Sequence, residues 1–201
     1  MIKNVVFDIG RVLLEYEPLK YLNNLYDPEK SKILYENIFL SKEWVDLDLG
    51  IITKDKAKDL ITSRIADMEK EVSHVLDNWY KSMVPIKSSV SIKKHIRKNG
   101  LNIYLLSNMN EVVFENLREE NSFLSEVEGQ IVSGYENILK PNKEIYKTLI
   151  GRYKINPKES LFIDDTKENV DAAIALGFKS VVYKGPSKLK EDIKNYLNLD
   201  V

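Results

Sequence analysis

Residues 5–13 read VVFDIGRVL: three apolar residues, an aspartate and a second short stretch rich in apolar residues. The unbroken apolar run at the start is typical of a parallel strand that is buried on both faces of a sheet. Comparable runs occupy residues 103–106, 161–163 and 180–183, and a weaker one occupies residues 130–132, with helical patterns between them. This alternation predicts an α/β fold, a Rossmann-like doubly wound parallel sheet.

The first predicted strand is followed by a long segment without strand patterns. From residue 15 to residue 83, apolar residues recur only at helical spacing, in four groups. We therefore predict a four-helix cap, residues 15–83, inserted after the first strand. The remaining residues, 1–14 and 84–201, are predicted to form the α/β core.

The composition excludes several classes of function. Lys and Arg number 30 and Asp and Glu number 31, which gives a net charge of −1. This balance argues against binding nucleic acid or an anionic membrane through bulk charge. No apolar run approaches the roughly 20 residues that span a bilayer, and the first residues do not resemble a signal peptide, so we expect a cytoplasmic protein. With no Cys and only 2 His, a metal site must be built from carboxylates and carbonyls.

Polar side chains follow three of the predicted strands. In a parallel sheet these positions meet at one edge, where α/β proteins bind their ligands. The residues are Asp8, Ser107 with Asn108, and Asp164 with Asp165. Lys140 precedes Pro141 and a predicted helix, from where it can reach the same edge.

These residue types suit phosphoryl transfer. An ionised aspartate can attack phosphorus and form an aspartyl phosphate. Several carboxylates together offer the oxygen ligands that Mg²⁺ prefers, and they need a cation to offset their mutual repulsion. A hydroxyl, backbone N–H groups and a lysine can hold the phosphate oxygens. Together they predict Mg²⁺-assisted phosphoryl transfer, which depends mainly on positioning and on charge stabilisation.

Four short motifs carry a family resemblance. They are FDIGRVL at residues 7–13, LLSN at 105–108, KP at 140–141 and FIDD at 162–165 with Asn169. Present in this order across nearly the whole chain, with a helical insertion after the first, they resemble the haloacid dehalogenase-like (HAD) hydrolases and their helical cap.

The resemblance implies a role for each motif residue. Asp8 is expected to be the nucleophile and a metal ligand, together with the backbone carbonyl of Gly10. Asp165 is expected to bind Mg²⁺ directly, and Asp164 directly or through water. Ser107, Asn108 and Lys140 are expected to hold the phosphoryl group, with Lys140 also offsetting charge during catalysis.

The chain departs from the family pattern at Gly10. Most HAD phosphatases have a second aspartate there, whose carboxyl protonates the leaving group. A positioned acid of this kind contributes about 10²–10⁴-fold to the rate. The Asp-x-Gly-x-Val form is similar to that of a bacterial group that includes phosphatases acting on α-glucose 1-phosphate. Glu15 and Glu17, near the predicted hinge, are candidates for a substitute acid.

The predicted function is therefore Mg²⁺-dependent hydrolysis of a small phosphorylated metabolite, such as a sugar phosphate, through an aspartyl phosphate on Asp8. Two alternatives stay open. The absence of an acidic side chain at Gly10 is compatible with a non-catalytic protein that binds phosphate or a partner. It is also compatible with a haloacid dehalogenase, although dehalogenases typically lack the acidic pair retained here as Asp164 and Asp165. Nothing in the sequence sets the oligomeric state.

Overall fold

A parallel five-stranded sheet lies at the centre of the protein, whose computed structural model describes Met1–Asp200. Its strands are β1 (Asn4–Phe7), β2 (Asn102–Ser107), β3 (Gly129–Val132), β4 (Ser160–Asp164) and β5 (Lys179–Val182). Their order in the sheet is β3-β2-β1-β4-β5. The predicted doubly wound α/β fold is thus confirmed, including its weakest strand.

The segment between β1 and β2 begins with helices only. It contains α1 (Pro18–Asn23), α2 (Pro28–Leu34), α3 (Lys42–Asp48), α4 (Lys54–Arg64) and α5 (Glu69–Asn78). A π-helical turn extends α2, and a 3₁₀ turn, Trp79–Ser82, follows α5. The insertion therefore has five α-helices rather than four. The additional helix is α3, which at 7 residues buries only Trp44 and Leu47 and so has too few apolar positions to show a helical period.

The two connections between this insertion and the rest of the chain run side by side. The N–H of Glu15 donates to the carbonyl of Val84, and the N–H of Ile86 donates to the carbonyl of Leu13. These pairs lie where the sequence suggests the boundaries of a cap. The division into a cap and a core stays a prediction.

Six further helices follow within the part of the chain that the structure describes. They are α6 (Lys87–Lys98), α7 (Glu111–Glu120), α8 (Ser133–Glu136), α9 (Lys143–Tyr153), α10 (Lys167–Ala175) and α11 (Pro186–Leu197). Val5 and Phe7 of β1 pack in one apolar cluster with α6, α7 and α11. Val6, on the opposite face, packs in a second cluster with α9 and α10. Coverage of both faces explains the unbroken apolar runs of the strands.

The register of the strands positions the candidate site. Phe7, the last residue of β1, pairs with Leu105 of β2 and with Ile163 of β4. Asp8 therefore lies one residue beyond β1, between the carboxyl ends of its two neighbours. The order of the strands reverses at β1, which is where open α/β sheets bind ligands.

Among the helices of Met1–Asp200, none combines the length and the apolar character that crossing a bilayer requires.

Candidate active site

Lys140 lies at the centre of the candidate site. Its Nζ donates to Asp8 Oδ1 at 2.7 Å, to Asp164 Oδ2 at 2.6 Å and to the carbonyl of Leu106 at 2.9 Å. All three of its N–H donors are thus used, and the lysine is 5% exposed. The contacts join the ends of three neighbouring strands through one ammonium group.

Two further side chains hold these groups in place. The carbonyl oxygen of the Asn108 side chain accepts from the backbone N–H of Lys140 at 2.8 Å, and its amide donates to the Lys140 carbonyl at 3.0 Å. The amide of Asn169 donates to both carboxylate oxygens of Asp164, at 3.0 and 3.1 Å. The N–H of Thr166 donates to Asp164 Oδ1 at 2.8 Å. Asp164 is fully buried, and these donors replace the water it has lost.

Burial and charge act in opposite directions on the ionisable groups here. Burial raises the pKa of Asp8, while the charge of Lys140 counteracts it and the neighbouring Asp164 adds to it. Burial alone would lower the pKa of Lys140, but the carboxylates of Asp8 and Asp164 outweigh it and hold the pKa above its ordinary value. Lys140 is therefore a permanent cation beside the expected nucleophile.

The donor set of this site fits a hard divalent cation. Asp8, Asp164 and Asp165 each offer a carboxylate oxygen, and these oxygens lie within 4.8 Å of one another. Lys140 neutralises only part of their charge, and the Arg11 guanidinium lies 3.6 Å from Asp165 with half of its side chain exposed. An oxygen-rich, acidic cluster of this kind is typical of Mg²⁺ sites.

A cavity of about 210 Å³ opens onto these groups. Six of the seven sequence-predicted site residues line it, namely Asp8, Gly10, Ser107, Asn108, Lys140 and Asp165. Asp164 is buried beside them, bonded to Lys140. The structure therefore brings all seven together, although their roles stay predictions.

The opposite wall of the cavity comes from the insertion. Tyr16, Trp44 and Trp79 contribute aromatic surface there, and the rings of Trp44 and Trp79 lie 4.8 Å apart in an edge-to-face arrangement. Asp48, the last residue of α3, also lines the cavity. No motif marks Asp48, because only the packing of the insertion brings it near Asp8. Glu15 and Glu17, the acids that the sequence suggested, are exposed and do not line this cavity.

Known proteins resemble the chain over most of its length. The profile of the haloacid dehalogenase-like hydrolases matches residues 2–177. The sesquiterpene phosphatase astK of Aspergillus oryzae is 26% identical over 87% of this chain and 86% of its own length. The D-ribitol-5-phosphate phosphatase of Bacteroides thetaiotaomicron is 24% identical over 98% of this chain and 100% of its own length.

A solved structure gives a similar result. It is that of a HAD family enzyme from Bacteroides thetaiotaomicron in complex with magnesium and inorganic phosphate. The two chains are 26% identical and superpose with a TM-score of 0.72 over 92% of this chain and 95% of the other.

Proposed function

Because the chain belongs to the haloacid dehalogenase-like hydrolases, we propose that it hydrolyses a small organic phosphate through an aspartyl phosphate on Asp8, with Mg²⁺ as cofactor. The observation that carries this proposal is the position of Lys140, whose Nζ bonds both Asp8 and Asp164 beneath a cavity at the strand ends. Phosphatase relatives and a related enzyme that binds magnesium and phosphate support it.

The residues divide the reaction into two steps. A carboxylate oxygen of Asp8 attacks phosphorus, the bond from phosphorus to the leaving-group oxygen breaks, and that oxygen takes up a proton. Water then attacks the aspartyl phosphate, which releases inorganic phosphate and restores Asp8. Asp8, Asp165, the Gly10 carbonyl and Asp164 would hold Mg²⁺, which offsets phosphate charge when bound. Lys140, Ser107 and Asn108 orient the phosphoryl group.

Replacing the nucleophile tests the proposal. Asp8→Asn keeps the size of the side chain but removes the attacking carboxylate, so hydrolysis of p-nitrophenyl phosphate and acetyl phosphate should be abolished. Asp171→Asn, an exposed aspartate on α10, should leave the rate unchanged. Chelation of Mg²⁺ should abolish wild-type activity reversibly. Full activity of Asp8→Asn, or of the chelated protein, would contradict the proposal.

The two alternatives make different predictions. A dehalogenase would release halide from 2-chloropropionate without metal, whereas three clustered carboxylates favour a metal-dependent reaction. A non-catalytic phosphate-binding protein would bind phosphate esters without turning any of them over. Halide release by the metal-free protein, or an absence of turnover across a broad panel of phosphates, would favour the respective alternative.

The names of the two phosphatase relatives indicate substrates of different polarity. A sesquiterpene is a hydrocarbon skeleton and D-ribitol is a polyol. The Asp-x-Gly-x-Val resemblance favoured a sugar phosphate, and that stays a prediction.

A second cavity supports an apolar substrate instead. It measures about 530 Å³ and shares Trp44, Asp48 and Trp79 with the first. Much of its remaining lining is apolar, including Leu47, Ile51, Ile52, Leu76, Val112 and Val113. A leaving group that extends from the phosphate site past the two tryptophans would therefore meet apolar side chains.

A series of substrates separates these two possibilities. If the second cavity holds the leaving group, kcat/KM should rise steadily along a series of n-alkyl phosphates from ethyl to decyl. Burial of apolar surface contributes about 0.8 kcal/mol for each CH₂ group. Leu76→Asp, at a 6% exposed position of this cavity, should flatten the series without changing acetyl phosphate hydrolysis. A flat wild-type series, with higher kcat/KM for ribitol or glucose phosphates, would favour the sugar phosphate.

A further inference from the structure

We propose that Asp48 is the general acid of this enzyme and donates the proton to the leaving-group oxygen that a carboxyl at position 10 would otherwise supply. The proposal rests on the proposed phosphatase function. It concerns one step of that function, the breaking of the bond between phosphorus and the leaving group.

Asp48 borders the space in which this step would take place. It lines the cavity that contains Asp8 and Gly10, and it also lines the larger apolar cavity. The two cavities therefore meet at Asp48, Trp44 and Trp79. A phosphoryl group on Asp8 and a leaving group in the second cavity would be joined by an oxygen near this boundary. Asp48 is the one carboxyl that both cavities share.

Three hydrogen bonds hold the C-terminal end of α3 against residues at the ends of α7 and α8. The amide of Asn110 donates to the carbonyl of Leu47 at 3.1 Å, the hydroxyl of Ser133 donates to the carbonyl of Asp48, and the amide of Asn137 donates to the carbonyl of Leu49 at 2.7 Å. Three successive carbonyls of a helix end are satisfied in this way. The backbone that carries the Asp48 side chain is thus held in place.

Close backbone packing reinforces these hydrogen bonds. Gly50 has a φ of +67°, and a Cβ at this position would lie 2.3 Å from the carbonyl oxygen of Gly134. The chain can therefore approach the start of α8 this closely only with glycine here. The chain just after α3 is thus packed directly against the backbone of α8.

The surroundings of Asp48 favour its protonated form. Within Met1–Asp200, neither a lysine nor an arginine forms an ion pair with it. Asp48 is half-buried, and this loss of hydration raises its pKa to about 7, while a hydrogen bond from the backbone N–H of Asn110 lowers the pKa only in part. Asp48 lies at the C-terminal end of α3. The helix dipole is negative at that end and further disfavours the ionised carboxylate. A general acid works best with a pKa near the working pH.

Other ionisable groups border the same space. In the smaller cavity these are Asp8, Arg11, Tyr16, Lys140 and Asp165, and in the larger one they are Lys54, Asp77, Tyr80 and Glu111. Lys140 is bonded to two carboxylates, and Arg11 lies beside Asp165 and over the ring of Tyr16. Burial, followed by the charge of Asp48, raises the pKa of Tyr16 and keeps this phenol protonated. Asp8, whose pKa burial also raises, is bonded to Lys140 and is the proposed nucleophile. Asp48 is left as the carboxyl that borders both cavities.

The dependence on the leaving group tests this assignment. Asp48→Asn has almost the same shape but cannot donate a carboxyl proton. Hydrolysis of n-butyl phosphate, whose alkoxide leaves poorly, should fall by about 10²-fold or more. Hydrolysis of p-nitrophenyl phosphate, whose anion leaves without protonation, should change little. Asp46→Asn, on the same helix and paired with Lys42, should affect neither substrate.

The pH profile provides an independent readout. For n-butyl phosphate, the wild-type kcat should decline as pH rises through about 7, because Asp48 then loses its proton. This decline should be absent from Asp48→Asn. Equal losses on both substrates, an unchanged rate with n-butyl phosphate, or the same decline with pH in the variant would overturn the proposal. None of these outcomes affects the Asp8→Asn test, so failure of this proposal is distinguishable from failure of the proposed function.

A rescue variant completes the test. A Cβ added at Gly10 would have its nearest neighbour, the Cβ of Tyr16, at 3.9 Å, so the first atom of a side chain is accommodated there. Gly10→Asp in the Asp48→Asn background should recover at least a tenfold higher rate with n-butyl phosphate and leave the p-nitrophenyl phosphate rate unchanged. If the double variant gains equally on both substrates, the loss did not come from proton donation, and Asp48 is not the general acid.

Discussion

Two lysines are buried within Met1–Asp200, and their surroundings differ. Lys140 donates to the carboxylates of Asp8 and Asp164 and to one carbonyl. Lys93, in α6, is fully buried and donates to two carbonyls, that of Phe123 at 2.8 Å and that of Glu126 at 3.0 Å. Both side chains have left water, but of these two only Lys140 bonds carboxylates directly.

This difference decides how each ammonium group titrates. Burial lowers the pKa of Lys93 to about 8, since the nearby charges of Glu126 and Glu128 restore only part of the lost hydration. For Lys140 the two carboxylates outweigh burial, and the pKa lies above its ordinary value. Lys93 serves as a pair of N–H donors that holds the loop after α7, and Lys140 serves as a charge. Burial of a lysine therefore does not by itself indicate catalysis.

The largest effect is expected at Lys140. In Lys140→Met the phosphoryl group loses its fixed cation, so kcat/KM for p-nitrophenyl phosphate should fall by about 10²–10³-fold. Asp8 and Asp164 would remain buried without their counter-charge, which should also lower the free energy of unfolding by about 3–5 kcal/mol. Denaturant titration measures the second effect. Lys143→Met, an exposed neighbour, is the control, and similar behaviour of both variants would contradict the role of Lys140.

A smaller effect, on stability alone, is expected at Lys93. Lys93→Met leaves the carbonyls of Phe123 and Glu126 without their donor, which should cost about 1–3 kcal/mol in the free energy of unfolding. The folded variant should keep the wild-type kcat, because Lys93 lies outside the cavity at the strand ends. Lys94→Met, the exposed neighbour on the same helix, should change neither quantity. A loss of kcat in folded Lys93→Met would contradict the prediction that Lys93 contributes to stability and not to catalysis.

The smallest effect is a pH dependence of stability. Since the pKa of Lys93 is about 8 in the folded protein and 10.5 is its ordinary value, the unfolded chain holds this proton more tightly. Raising the pH from 8 towards 10.5 should therefore stabilise the wild type relative to Lys93→Met, by about 1 kcal/mol once solvent screening is included. Unfolding of both proteins at pH 7.5 and 9.5 measures this. An unchanged difference in stability between the two proteins would mean that Lys93 keeps its charge over this range, and would contradict the prediction.

The sheet and the acidic cluster were accessible from the sequence because both depend on short, local patterns. A strand buried on both faces must be apolar at every position, so Val5–Phe7 and Leu161–Ile163 are recognisable without a structure. The residue that follows each of them lies at the ligand-binding edge, which points to Asp8 and Asp164. The helix α3 was missed because its 7 residues bury only two side chains.

By itself, then, the sequence determined the order of strands and helices, the types of side chain at the strand ends and the absence of a carboxyl at Gly10. These follow from local apolar patterns and from residue identity. The tertiary structure alone decided that Lys140 reaches two carboxylates and that Asp48 lines the same cavity as Asp8 and Gly10. Asp8 and Asp48 are separated in the chain by about half of the helical insertion, and their distance depends on how its helices pack and on which carbonyls Asn110, Ser133 and Asn137 hold. Such long-range packing leaves no periodic trace in a chain, because it is set by the whole fold and not by neighbouring residues.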